Sequence, residues 1–152
     1  MIQRIQTIYL MLAAIMLGLT FVFPFATYTL GPADVLFNAY GVSENALEVS
    51  TFFPYYITIA LSMGLALFSI LQYKKRKVQI TVGRLIYLLL VITIAFIFID
   101  FYSLKGQFEI DSSAVSYGVS LFLPVAALPI LFMANRNIRK DEALIKSLDR
   151  LR

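Results

Sequence analysis

Asp100 is the carboxylate of this chain that lies nearest the interior of a long apolar segment. An acid in such a place is by default a functional group, a ligand for a proton or a cation. Counting about 1.5 Å per residue from Arg84 sets it ~22 Å along a helix, with Phe101, Tyr102 and Ser103 following as interfacial residues. A helix-end carboxylate is the plainer alternative. Asp141 and Glu142 are neighbours in sequence, hence on different faces of a helix, and do not make the paired carboxylates of a hydrolase.

Other chemistry is bounded by what is missing. The chain has no Cys, which removes thiolate nucleophiles, iron–sulfur ligation and Cys-based zinc sites. It has no His, which removes imidazole metal ligation, bis-His haem and a Ser-His-Asp triad. Its glycines never form the G-x-x-x-x-G-K pattern that cradles phosphate. A lipid-modifying enzyme would have to work with clustered Asp, Glu or Tyr, and no such set is visible. The expectation is therefore a protein that is not an enzyme, with no cofactor and no metal.

A second set of residues points to contact rather than catalysis. The tail from Asn137 to Arg152 has helical periodicity, with Ile138, Leu144, Ile145, Leu148 and Leu151 in one broad apolar arc. Glu142 and Lys146 form a favourably oriented i,i+4 pair. Such a stripe lies on a membrane surface or docks a partner. Interleaved Asp141, Glu142 and Asp149 tilt the balance toward a protein contact, carried by Ile138, Asp141, Glu142, Leu144, Ile145, Leu148, Arg150 and Leu151. A solvated helix that merely extends the preceding segment is the bland alternative.

The elements that must position these residues are apolar helices. The 152 residues are 60% hydrophobic, with a formal charge of +4 and a mean hydropathy of +0.81. Soluble domains hold roughly 45–50% apolar residues, and here those residues come in unbroken runs. Four runs are long enough to approach the roughly 20 residues a helix needs to cross a bilayer. They cover about 5–26, 52–73, 82–102 and 117–134. Outer loops are expected at 27–51 and 103–116, a cytoplasmic loop at 74–81 and a cytoplasmic tail at 135–152, all within a single domain. Pro124 and Pro129 should bend the fourth run, which membrane helices tolerate. The first run exceeds the roughly 7–15-residue core of a signal peptide and no A-x-A cleavage pattern follows, so a retained span is expected.

Charge orients these runs. Lys74, Lys75, Arg76, Lys77 and Arg84 lie between the second and third, and Arg136, Arg139, Lys140, Lys146, Arg150 and Arg152 follow the fourth. Arg4 precedes the first, whereas the opposite loops carry Asp34, Glu44, Glu48, Glu109 and Asp111 with Lys105. Cations collect on the cytoplasmic side, so both termini are expected there. Lipid head groups and topology account for the basic balance, and nucleic acid is not an expected partner. Tyr9, Tyr28, Tyr55, Tyr56, Tyr73, Tyr102 and Tyr117 fall near the run ends, where tyrosines anchor helices at the interface.

Two further features concern packing. Gly31-Pro-Ala-Asp34 is a strong turn between the β-prone stretches Phe25–Leu30 and Val35–Tyr40, which predicts a hairpin on the outer ends of the helices. Gln107–Asp111 could add a third strand, Gly41–Ser50 a helical or irregular return, and Ser50 or Thr51 a cap for the second run. Ala14-x-x-x-Gly18 and Ala60-x-x-x-Gly64, with Ser62-x-x-x-Ala66, place small residues near mid-membrane, so close packing of the first two helices is expected through them.

The opening MIQRIQTIYLMLA and the ending ANRNIRKDEALIKSLDRLR resemble those of a family of small four-span membrane proteins of Bacteroidota, filed as a domain of unknown function. The resemblance spans the chain and implies a bacterial inner-membrane location and one full-length domain, but no activity, cofactor or substrate. The expected fold is an all-α membrane protein: a four-transmembrane-helix bundle, N-in and C-in, with a small extracytoplasmic β-hairpin or sheet and a C-terminal cytoplasmic amphipathic helix. The expected function is a non-catalytic scaffold or accessory subunit. It meets the lipid bilayer and docks a membrane or cytoplasmic protein through its tail. A small oligomeric transporter or channel with Asp100 near its path is the alternative.

Overall fold

The structure is a computed structural model and describes residues 3–30, 33–43, 53–73, 75–107 and 115–149. Four helices carry the chain: α1 (Gln3–Leu19), α2 (Tyr55–Leu71), α3 (Arg76–Gln107) and α4 (Leu123–Asp149). Four short strands complete it: β1 (Ala26–Leu30), β2 (Ala33–Asn38), β3 (Gly41–Ser43) and β4 (Val115–Tyr117). Consecutive helices pack side by side and α4 returns against α1, closing a ring. Leu10, Ala13 and Leu17 of α1 face inward, with Ile59 and Ala66 of α2, Ile86, Leu90 and Ile97 of α3, and Ala127, Leu131 and Ile138 of α4.

The outer faces are as apolar as the inner ones. Ile8, Ile15, Leu61, Leu71, Leu88, Ile99 and Phe132 are all exposed. A helix that is hydrophobic all round belongs in a protein core or in a membrane, and among the described residues these side chains stay exposed. The segments Arg76–Gly106 and Val119–Ile145 are long and apolar enough to cross a bilayer, and α1 and α2 are shorter apolar helices. At about 1.5 Å per residue, α3 and α4 reach ~48 and ~40 Å, beyond the ~30 Å of hydrocarbon.

Chain breakers explain where the helices stop. After α1 the Thr20 hydroxyl donates to the Leu17 carbonyl, Phe21 and Val22 N–H groups close tight turns onto Gly18 and Leu19, and Pro24 follows these turns. Pro54 starts α2 and Pro124 lies in the first turn of α4, where backbone N–H groups lack partners anyway. Pro129 is carried inside α4, which continues past it.

The sheet sits across one end of the helices, in the order β3-β2-β1-β4, antiparallel throughout. Leu30 pairs with Ala33, so two residues connect β1 to β2, as a tight hairpin requires. Alternation turns Ala26 and Tyr28, with Val35 and Phe37 opposite them, toward the helices. The Phe25 and Phe37 rings meet Tyr55 at the start of α2, at 6.0 and 5.8 Å between centroids. Tyr28 meets Phe101 near the end of α3 at 5.9 Å.

Several expectations shift. The segment expected as a loop at 74–81 is helical from Arg76 onward, leaving only a short turn between α2 and α3. Arg and Lys are good helix formers and nothing there breaks the chain. The fourth run does not begin as helix at Tyr117. That residue ends β4, a 3-10 turn follows over Val119–Leu121, and α4 starts at Leu123. The strand joining the hairpin is Val115–Tyr117. Gln107 closes α3, and the rest of the expected strand at 108–111 lies outside the described residues, as do Ser50 and Thr51. Gly41–Ser43 forms β3, and the remainder of the expected return is likewise not described.

Candidate functional site

Polar side chains gather at the two ends of the helices. At the basic end the centre is Asp141, only 5% exposed. The Gln6 amide of α1 donates to its carboxylate, and Arg76 Nη1 of α3 donates to its backbone carbonyl at 2.9 Å. Beside it, Gln79 Nε2 donates to the Ser69 carbonyl of α2 at 2.7 Å. All four helices are thereby laced together within two turns of α4. Gln6 thereby gives a hydrogen-bond partner to a carboxyl group that is buried.

Six residues before Asp141 on α4, Asn135 presses against Gly83 of α3. A β-carbon built on Gly83 would fall inside the Asn135 amide, so only glycine admits this approach. Asn135 Oδ1 is buried without a hydrogen-bond partner. The contact fixes the level at which the two antiparallel helices meet.

On the flank of that contact, α3 and α4 diverge to form a groove of about 930 Å³. Arg84, Arg136, Arg139 and Lys140 line one end, and Leu88, Val91, Ile92 and Phe132 line the other.

At the sheet end, Asp100 is 7% exposed. The Tyr55 hydroxyl donates to its carboxylate and lies 3.1 Å from the Phe96 carbonyl. Tyr28 donates to the Phe101 carbonyl at 3.2 Å. Burial, with Tyr117 adding to it, pushes the Tyr28 phenol above its ordinary range. Tyr28 thereby ties the sheet to α3, and Tyr55 ties the start of α2 to it.

The residues singled out in the sequence separate into groups. Ile138 and Asp141 are buried within the fold, Glu142 is half-buried, and Leu144 and Ile145 are exposed, so the tail does not present one continuous apolar arc. Gln6 of α1 meets α4 at Asp141, and α4 runs on past that contact to Asp149. Leu148 belongs to α4 but its side chain is not described, and Arg150 and Leu151 lie outside the described residues. Of the small residues, Ala14 is buried, and a β-carbon on Gly18 would make ordinary contact with Met63 Sδ at 3.6 Å. Ala60 and Gly64 instead face outward, with open space over Gly64, and Ser62 and Ala66 take the inner face of α2.

Tyr28 and Tyr55 are a correction of a different kind. They are fully buried, whereas Tyr56, Tyr73, Tyr102 and Tyr117 are exposed as interfacial anchors should be. The alternation of Ala26 and Tyr28 on β1 was the available sign for the first. The groove also went unread, although Arg136, Arg139 and Lys140 repeat at i, i+3 and i+4 and Arg84, Leu88 and Val91 at i, i+4 and i+7.

The family described as Domain of unknown function (DUF4293) matches residues 2–151. The chain belongs to this DUF4293 family. No curated protein and no solved structure matches it significantly. Within the region that the DUF4293 family matches, Gln6 of α1 meets Asp141 of α4 at the basic end.

Proposed function

We propose that the chain is a non-catalytic inner-membrane protein of four spans with both termini cytoplasmic. It acts as a scaffold or accessory subunit that engages a partner through the projecting end of α4. Apolar outer faces on all four helices support the four spans, since α1 and α2, at 17 residues each, reach the lower limit for crossing a bilayer. The cations at the end opposite the sheet support the orientation.

The observation that carries the docking role is the exposure of Leu144 and Ile145, at 55% and 44%, on α4 past the buried Asp141. Adjacent exposed aliphatic residues on a charged, protruding helix suit a helix-in-groove contact. The test is gentle detergent extraction and affinity capture of the unaltered chain and of a Leu144→Asp/Ile145→Asp variant. A defined partner should accompany the first and be lost from the second, and equal recovery with both would refute the docking role.

A transporter or channel remains the second reading, favoured by the burial of Asp100. Its contact with Tyr55 supports a structural carboxylate instead. Cation flux through liposomes holding the protein, abolished by Asp100→Asn, would restore the transport reading.

A further inference from the structure

The groove between α3 and α4 has an unusual division along its length. Its lining among the described residues contains four cations and no carboxylate. Arg84 and Arg136 are the chain neighbours of the Gly83–Asn135 contact, and Arg139 and Lys140 follow one helical turn farther along α4. Asp141, the acid next in sequence, is turned into the fold toward Gln6. Going the other way, Leu88, Val91, Ile92 and Phe132 supply an apolar channel, with Tyr87 at the junction. The whole is about 930 Å³, within the roughly 300–1,000 Å³ of ligand sites.

We propose that this groove binds an anionic phospholipid, its phosphate held by Arg84, Arg136, Arg139 and Lys140 and one acyl chain laid along Leu88, Val91, Ile92 and Phe132. Charge complementarity selects the occupant. Four cations lining one end of a largely apolar groove match a molecule with a negative head and a hydrocarbon tail, and basic pockets between helices at the cytoplasmic surface recognise such head groups. Guanidinium forks bind phosphate oxygens in pairs, which a zwitterionic head group satisfies less well because its own ammonium opposes the cluster. A soluble acidic peptide would fill the basic end and leave the apolar channel exposed. The inference rests on the membrane reading of α3 and α4 and is independent of partner docking at Leu144 and Ile145.

The experiment is native mass spectrometry of the purified full chain in detergent, titrated with phosphatidylglycerol or with phosphatidylcholine of identical acyl chains. A third titration uses inorganic phosphate alone. Phosphatidylglycerol should be retained in preference to phosphatidylcholine, and inorganic phosphate should not displace it. Each cation removed should weaken retention roughly fivefold, so Arg136→Gln/Arg139→Gln should lose on the order of 25-fold. Leu88→Trp, which fills the channel and keeps every charge, should also lower retention, whereas the Leu144→Asp/Ile145→Asp variant should not. If the double variant fails to purify, Lys140→Gln provides the same reading at one fivefold step. Equal retention of the two lipids by the unaltered chain overturns the proposal, as does a preference that survives loss of the cations. Displacement by inorganic phosphate would overturn the acyl-chain half and leave an anion site only.

Discussion

Gly83 gives α3 and α4 their closest approach, and its side-chain space is already taken by Asn135. Gly83→Ala should therefore force the helices apart at a cost of about 1–3 kcal/mol, the usual range for overpacking. Combining it with Asn135→Ala should recover most of that loss, because the obstructing amide is gone and its unpartnered oxygen with it. Denaturant unfolding in detergent, measured for both single variants and the double, checks this. The Gln6–Asp141 contact makes a second case. Gln6→Leu strands a buried acid and should cost about 1–3 kcal/mol, and Gln6→Leu/Asp141→Leu should cost less than the sum of the single changes. Tyr28 supplies a pH signature. Its raised folded-state pKa means its contribution is fully present below the unfolded value of about 10 and is lost as pH rises beyond it. Thermal unfolding followed from pH 8 upward should weaken past that point, and Tyr28→Phe should blunt the decline. At this scale the sequence was only partly legible. Asp100 stood out by its isolation, but its partner Tyr55 lies 45 residues away in sequence and reads by itself as an interfacial anchor.

The elements were more legible where pattern and punctuation agreed. The β1–β2 hairpin follows from alternation on either side of Gly31-Pro32, and its register sets Tyr28 against Val35. β4 escaped because three residues, Val-Ser-Tyr, merge into the apolar run that follows and carry no period of their own. What commits them to the sheet is tertiary: the Gly118 N–H donates to the Phe25 carbonyl at 2.9 Å, and a β-carbon on Gly118 would collide with the Pro24 carbonyl. Gly118→Ala should accordingly detach β4 from β1 and speed amide hydrogen exchange at Ala26–Tyr28, with the basic end of the helices unaffected. The small-residue faces of α2 teach the reverse lesson. Ala60/Gly64 and Ser62/Ala66 are two residues apart, hence on opposite sides of one helix, and periodicity cannot say which side meets protein.

For the molecule as a whole, the charge map and the apolar runs specified helices and a polar difference between their ends. They could not specify how the ends are tied. The absence of Cys offers a direct test of orientation, because single cysteines can be introduced into an otherwise silent background. Ser147→Cys should be shielded from a membrane-impermeant thiol reagent in intact cells, and Thr29→Cys should be labelled once the outer face is accessible. The opposite pattern would invert the proposed topology. The way the ring closes also bears on how the chain is made. β1 must wait for β4, some 90 residues downstream, and α1 must wait for α4. A nascent protein therefore carries an open strand edge and a half-covered first helix through most of its synthesis. Both gaps are filled only after β4 and α4 have been made, and a chain stopped before Val115 would lack both. Quality control thus has a simple mark of an unfinished molecule: an edge of β1 that nothing has yet paired.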